Sequence, residues 1–245
     1  MNYNTEVSYM DEHSLHQETP LTRMKREAGY HAAGMVEDGM VIGLGTGSTT
    51  YYAMEHLSAL IDEGLRIQGV PTSFQTEMLA RQLRIPLTTL DTYPELDLAI
   101  DGADQVDPSL RLIKGRGAAL TREKCVAAAA QSLVIVVDAS KCVDTLAAPV
   151  PLEVIPFALQ PVILGVRALG GIPELRTGVR KDGPVITDNG NFILDCTFGT
   201  IGEPERLEGI LTLMPGVLSC GLFCAFVEKS VIVVGRDEGC RELRP

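Results

Sequence analysis

VIGLGTGSTTYYAMEHLSALIDEG, Val41 to Gly64, passes from a strand-like run through a turn holding Gly43, Gly45 and Gly47 into a segment of helical period. A strand, a glycine turn and a helix in that order open an α/β unit, and three ligand classes compete for such a turn. A dinucleotide fingerprint requires G-x-G-x-x-G, but Ser48 occupies the third glycine position. A Walker loop requires Gly-Lys followed by Ser or Thr, and neither tripeptide occurs in the chain. What remains is a helix N-terminus whose free N–H groups, with the hydroxyls of Thr46, Ser48 and Thr49, suit a compact anion such as a monophosphate. A plainer explanation stands beside it, in which Ser48 or Thr49 only caps the helix.

Working outward, strand-like and helix-like runs alternate. Pro20 to Glu37 reads as a helix, then come MVIGLG, the helix just quoted, LRIQGV, the helix FQTEMLARQL, IPLTTL, LDLAID, a helix around LTREKCVAAAAQS, and LVIVVD. Strands separated by helices predict a Rossmann-like, doubly wound, mainly parallel sheet covered on both faces. After about Ala148 the order becomes strand PLEVIP, helix FALQPVILGVRALGG, strands IPELRTG and NFILDC, helix EPERLEGILTLMPG and strand VLSCGLFC. That order is the ferredoxin-like split βαβ pattern and predicts a second, smaller α+β domain. The apolar strand SVIVVG is left over and returns to the first domain. The expected division is therefore a structureless leader over 1–19, a Rossmann-like unit over 20–148 plus 225–245, and a ferredoxin-like unit over 149–224. The TDNGN segment, Thr187 to Asn191, has Asn-Gly hairpin chemistry, for which turn geometry is a sufficient explanation.

The composition narrows the function classes. A chain of 245 residues, 45% hydrophobic, buries a substantial core. No apolar stretch approaches the roughly 18 residues of a membrane span and the leader lacks a signal-peptide layout, so a cytoplasmic location is expected, with no membrane partner. A formal charge of −11 argues against a nucleic-acid partner. Cys125, Cys142, Cys196, Cys220, Cys224 and Cys240 form no C-x-x-C pair and read as reduced thiols, most of them packing as small hydrophobes. His13 and His16 fall in the leader, while His31 and His56 stand apart on helical segments, so no metal site is expected.

In a parallel sheet ligands bind beyond the carboxyl ends of the strands, and there the loops are rich in polar groups. DGADQVD places Asp101 and Asp104 past a buried strand with Gly102 and Ala103 between them, and IKGRGAALTREK supplies Lys114 before the turn Gly115, Arg116, Gly117 and then Glu123. A carboxylate, a lysine and exposed N–H groups are the parts needed to remove a proton beside a carbonyl and stabilise the resulting oxyanion. Taken singly, each has an ordinary reading: an Asp at a strand end is turn chemistry, and Glu123 is a solvated helix residue.

As a set, GLGTGSTT, DGADQVD, IKGRGAALTREK, DASK, PLEVIPFA and TDNGNFILD, in this order and spacing, closely resemble the ribose-5-phosphate isomerase A family from about Met24 to Gly235. The resemblance implies a cofactor-free and metal-free interconversion of D-ribose 5-phosphate and D-ribulose 5-phosphate, in an oligomer of two or four chains. It implies Glu123 as the proton shuttle, with Asp101 and Lys114 beside it in catalysis. It puts substrate binding on Thr46, Gly47, Ser48 and Thr49, on Asp101 to Asp104, on Lys114 to Gly117, and on Lys25 and Lys141. Arg116 departs from the family's KGGG form; a positive φ there would strain it by about 1 kcal/mol or more and bears on substrate affinity rather than reaction class. A free Glu titrates near about 4.3, so Glu123 is expected to be ionised at neutral pH and to need positioning more than activation. Two other readings stand beside it: a sugar-phosphate sensor that uses the same anion seat without turnover, and an acyl-CoA transferase-like enzyme on a related fold with Glu123 as nucleophile.

Overall fold

Thr19 opens the described part of the chain by accepting a hydrogen bond from Thr22 N, and Pro20 fills the first helical position, where a missing N–H does no harm. The computed structural model describes residues 19–245, so the expected structureless leader lies outside the described residues except at Thr19, which is a helix cap. The helix α1 (Pro20–Ala33) is shorter than the predicted span to Glu37. Gly34 caps it, and Met35 and Val36 close tighter turns onto Ala32 and Ala33.

The strands are β1 (Val41–Leu44), β2 (Gln68–Pro71), β3 (Leu96–Gly102), β4 (Gln105–Val106), β5 (Leu112–Ile113), β6 (Ala130–Asp138), β7 (Val150–Val154), β8 (Ile172–Leu175), β9 (Phe192–Thr197), β10 (Val217–Cys220), β11 (Leu222–Phe223), β12 (Ser230–Gly235) and β13 (Cys240–Leu243). The remaining α-helices are α2 (Ser48–Asp62), α3 (Phe74–Gln82), α4 (Leu120–Ala129), α5 (Leu159–Ala168) and α6 (Pro204–Thr212). Six strands form the main sheet in the order β13-β12-β6-β3-β1-β2, parallel except for the β12–β13 pair. Val134, Val136, Val231 and Val233 point to the face covered by α1, α2 and α3, and Leu133, Ile135, Val137 and Ile232 to the face covered by α4. Burial on both faces is why LVIVVD and SVIVVG read as unbroken apolar runs. The fold is α/β and doubly wound, with SVIVVG lying in the main sheet beside β6.

The four-stranded sheet runs β10-β7-β9-β8 with every neighbour antiparallel, the ferredoxin-like order, and α5 and α6 pack Val162, Val166 and Leu211 against its Val150, Leu152 and Val154. Two predicted strands differ. IPLTTL makes only a bridge from Leu87 to Gly69, since Pro86 has no N–H to extend the pairing. VLSCGLFC divides at Gly221 into β10 and β11, and β11 joins β5 and β4 in a three-stranded sheet between the two larger ones. A Cβ at Gly221 would stand 2.5 Å from Lys114 O, so the crossing brings the two sheets together at Lys114. Cys196, Cys220 and Cys224 are buried, whereas Cys125 and Cys142 are exposed.

Candidate active site

The glycines of the opening turn make room for other segments. At Gly43 a Cβ would lie 2.2 Å from Val126 on α4, and at Gly45 it would lie 2.2 Å from Asp101 Oδ1 and 2.6 Å from Asp101 Cα. Gly45 is therefore the slot for Asp101. Gly45→Ala is expected to displace that carboxylate, lowering kcat at least tenfold and stability by about 1–3 kcal/mol, as steady-state kinetics and thermal melts would read.

Gly47 occupies the N-cap of α2 and no side chain caps that helix, so the capping role considered for Ser48 or Thr49 is not realised. Gly47, Ser48 and Thr49 instead line a cleft of about 440 Å³, and the Lys25 ammonium donates to Ser48 Oγ at 3.0 Å. The positive end of the helix and a lysine thus meet at one point. Thr46 lines the same cleft, and its hydroxyl lies 3.0, 2.7 and 2.9 Å from those of Thr72, Ser73 and Thr76, so it also braces the loop. Lys141, in a 3₁₀ turn whose Ser140 N–H donates to Asp138, faces the same cleft.

At the other end lie Asp101, Lys114 and Glu123, each less than 5% exposed. Lys114 Nζ stands 2.9 Å from Asp101 Oδ2 and 3.2 Å from Glu123 Oε2 and donates to Gly102 O. Asp101 Oδ1 accepts from Gly102 N at 2.8 Å. The ammonium is placed by its own backbone, since Lys114 N donates to Gly221 O. Glu123 Oε2 is buried and has the Lys114 ammonium as its partner, while the residue itself lines the cleft. Desolvation, then the charge of Asp101, pushes the Glu123 carboxyl up to about 8 against the opposing pull of Lys114. The environment therefore departs from that of a free Glu: burial and Asp101 favour the protonated carboxyl, and Lys114 favours the ionised one. Burial alone would lower the Lys114 pKa, but Asp101 and Glu123 outweigh it and raise it, so the lysine stays charged.

The loop after Lys114 bends at Gly115, whose φ is 105°, while Arg116 is absent from the positive-φ residues. The strain anticipated at Arg116 is not there; Ala118, with φ 60°, carries it instead. Arg116 N donates to Asp104 Oδ2 at 3.1 Å, and the carbonyls of Gly115 and Arg116 accept from Arg176, which is paired with Asp195. With its carbonyls held from behind by the ferredoxin-like unit, the loop lines the cleft through Gly115, Arg116 and Gly117 opposite Gly102, Ala103 and Asp104.

The structure brings the predicted residues to one cleft, with Asp101 behind its wall rather than on it. Gln75, Val136, Val137 and Asp138 also line it and were not singled out. PTSFQTE and DASK both stood among the polar loops beyond strand ends, and that position was the available signal for Gln75 and Asp138. Arg176 left no local signal, because its partners are some sixty residues away in sequence.

Known proteins resemble this chain over most of its length. Residues 68–239 match the family model described as ribose 5-phosphate isomerase A (phosphoriboisomerase A). The chain is 58% identical over 219 residues to ribose-5-phosphate isomerase A of Methanoregula boonei, covering 89% of this chain and 92% of the relative. It is 54% identical to that of Methanosarcina acetivorans, covering 88% and 91%. Among solved structures, a D-ribose-5-phosphate isomerase in complex with phospho-erythronic acid superimposes with a TM-score of 0.89 at 45% identity, covering 93% of this chain and all of that one. The ribose 5-phosphate isomerase A of Methanocaldococcus jannaschii gives 0.86 at 43%, covering 91% and 98%.

Proposed function

The chain belongs to the ribose-5-phosphate isomerase A family, and from that premise we propose that Glu123 is the base that carries the proton in its reaction. The protein is an aldose–ketose isomerase that interconverts D-ribose 5-phosphate and D-ribulose 5-phosphate. The observation that carries the assignment of Glu123 is its buried carboxyl, paired with Lys114, at one end of a cleft whose other end is a lysine-flanked helix N-terminus.

The sugar phosphate is held at Gly47, Ser48 and Thr49 with Lys25 and Lys141, which leaves the open-chain aldehyde at Lys114 and Glu123. Glu123 takes the C2 proton, and the C2–H electrons form the C1–C2 double bond while the carbonyl pair moves onto O1. The resulting enediolate is stabilised by Lys114 and by the N–H groups of the Gly115–Gly117 turn. The carboxyl then returns its proton to C1, and the proton on O2 passes to O1 with Asp101 and Asp104 orienting the hydroxyls. Ketose appearance from ribose 5-phosphate without added cofactor tests this activity directly; a sensor or a transferase would yield none.

A base whose carboxyl titrates near about 8 is mostly protonated at pH 7, so activity is gained as pH rises. The expected kcat/KM climbs about tenfold per pH unit below the transition and levels above pH 8, in a profile taken from pH 6 to 9. A profile flat across that interval contradicts it.

We also assign the enzyme to the cytoplasmic pentose phosphate pathway, as its family supports; no helix among the described residues is long and apolar enough to cross a membrane. Residues 20–148 with 225–245 serve as its catalytic unit and 149–224 as the smaller one, a division supported by the separate sheets. A dimer or tetramer is supported by Phe157 and Leu213, 98% and 84% exposed on the smaller unit, and sedimentation velocity would read it. A sedimenting monomer would refute it.

A further inference from the structure

Glu153 lies on β7, wholly buried, on the face opposite the core residues Leu152 and Val154. A buried carboxylate is tolerated when donors surround it, and here four uncharged ones do. Its Oε1 accepts from Thr187 Oγ1 at 2.8 Å, Asn191 Nδ2 at 2.9 Å and Asn189 Nδ2 at 3.1 Å, and its Oε2 from the Thr121 hydroxyl. Three donors come from the Thr187–Asn191 turn and the fourth from the second residue of α4.

The turn reaches further. The Arg122 guanidinium donates to Asn189 Oδ1 at 2.9 Å and to Asp188 O at 3.0 Å, and Asp188 Oδ2 accepts from Phe74 N, the first residue of α3, at 2.7 Å. Gly190, at φ 81°, makes the bend and Thr187 Oγ1 accepts from Asn189 N and Asn191 N within the turn, while the side chains of Thr187, Asp188, Asn189 and Asn191 also reach other elements. Helix α4 requires this help, because its N-cap is Ala119, without a capping side chain, and it follows the left-handed Ala118. Thr121 and Arg122 are therefore gripped from outside the helix, and the next residue is Glu123.

We propose that Glu153 and the Thr187–Asn191 turn are a positioning device for the isomerase reaction, fixing the first turn of α4 and hence the place of the Glu123 carboxyl. Glu153 is a positioning residue, since it acts on Glu123 through Thr121. The inference rests on Glu123 as the base. A displacement of about 1 Å of a catalytic group lowers turnover by about a hundredfold, so loosening this grip reads in kcat and little in KM.

Thr121→Val removes the one hydroxyl linking Glu153 to the helix while keeping the side-chain shape. The expected result is kcat per mole of folded protein down about tenfold or more, KM for ribose 5-phosphate within about threefold, and Thr121→Ser restored to near wild type. Glu153→Gln, which turns an amide toward donors, is expected to show the same split. Thr121→Val within twofold of the wild-type kcat, or a loss accounted for by unfolded protein alone, overturns the proposal. A Glu123→Gln protein that turns over normally would instead sink the assignment of the base. An inactive Glu123→Gln beside a fully active Thr121→Val would sink only the positioning role.

Discussion

Glu123→Gln is expected to lower kcat by about 10³-fold while leaving KM for ribose 5-phosphate within a few-fold. The amide fills the same space at the cleft floor but takes no proton, so binding through Lys25 and the N-terminus of α2 is retained and the chemical step is lost. The same variant has an opposite effect on stability. The folded-state pKa, raised to about 8, exceeds the unfolded value of about 4.3, so the native protein binds the extra proton and loses stability as pH rises between the two. Gln behaves as the permanently protonated form. The melting temperature of the variant is therefore expected to match wild type near pH 4 and to exceed it by a margin that grows to pH 8 and then levels. A variant less stable than wild type at pH 8 would mean that Lys114 gains more from the charge than burial takes away.

The second large effect is at Lys114. Its ammonium stands between two buried carboxyls, 2.9 Å from one and 3.2 Å from the other, and Lys114→Met leaves both without a cation. Breaking such a pair from one side destabilises by about 3–5 kcal/mol, and the loss of a charged group at the developing oxyanion lowers kcat by about 10²–10³-fold. With Lys114 gone, its pull no longer opposes the burial and the Asp101 charge that raise the Glu123 pKa, so the rise of kcat/KM is expected to move to higher pH. Asp101→Asn added to Lys114→Met is expected to recover thermal stability but not turnover. Recovery of both would reduce Lys114 to a structural counter-ion.

Much of this was legible because the relevant signals were local. Strands such as Leu133–Val137 and Val231–Val234 announce themselves by being apolar at every position, which a sheet covered on both faces demands. The failures are equally physical. IPLTTL has the composition of a strand, but Pro86 cannot donate to a ladder, and VLSCGLFC has the length of one strand but changes sheets at Gly221. The positions of the site residues were readable from loops at strand ends; their electrostatics were not. The raised pKa of Glu123 arises from burial and from Asp101 on β3, seated in the slot left by Gly45, against the pull of Lys114 beyond β5, and no local reading contains that convergence. The Thr187–Asn191 segment shows the same divide: its bend was evident from Asn-Gly, whereas Glu153 and Arg122 meet it only in the folded chain.

The central claim is that one carboxyl, that of Glu123, carries the proton between C2 and C1. Isomerisation of ribose 5-phosphate in D₂O, followed by NMR of the ketose formed, reads this transfer at the atom concerned. The account predicts that C1 of the wild-type product carries the hydrogen delivered by the carboxyl, protium where it is returned directly and deuterium where the carboxyl exchanges with solvent first, and no measurable ketose, labelled or not, from Glu123→Gln over the same interval. Ketose formed by Glu123→Gln at the wild-type rate, whatever its label at C1, would contradict it.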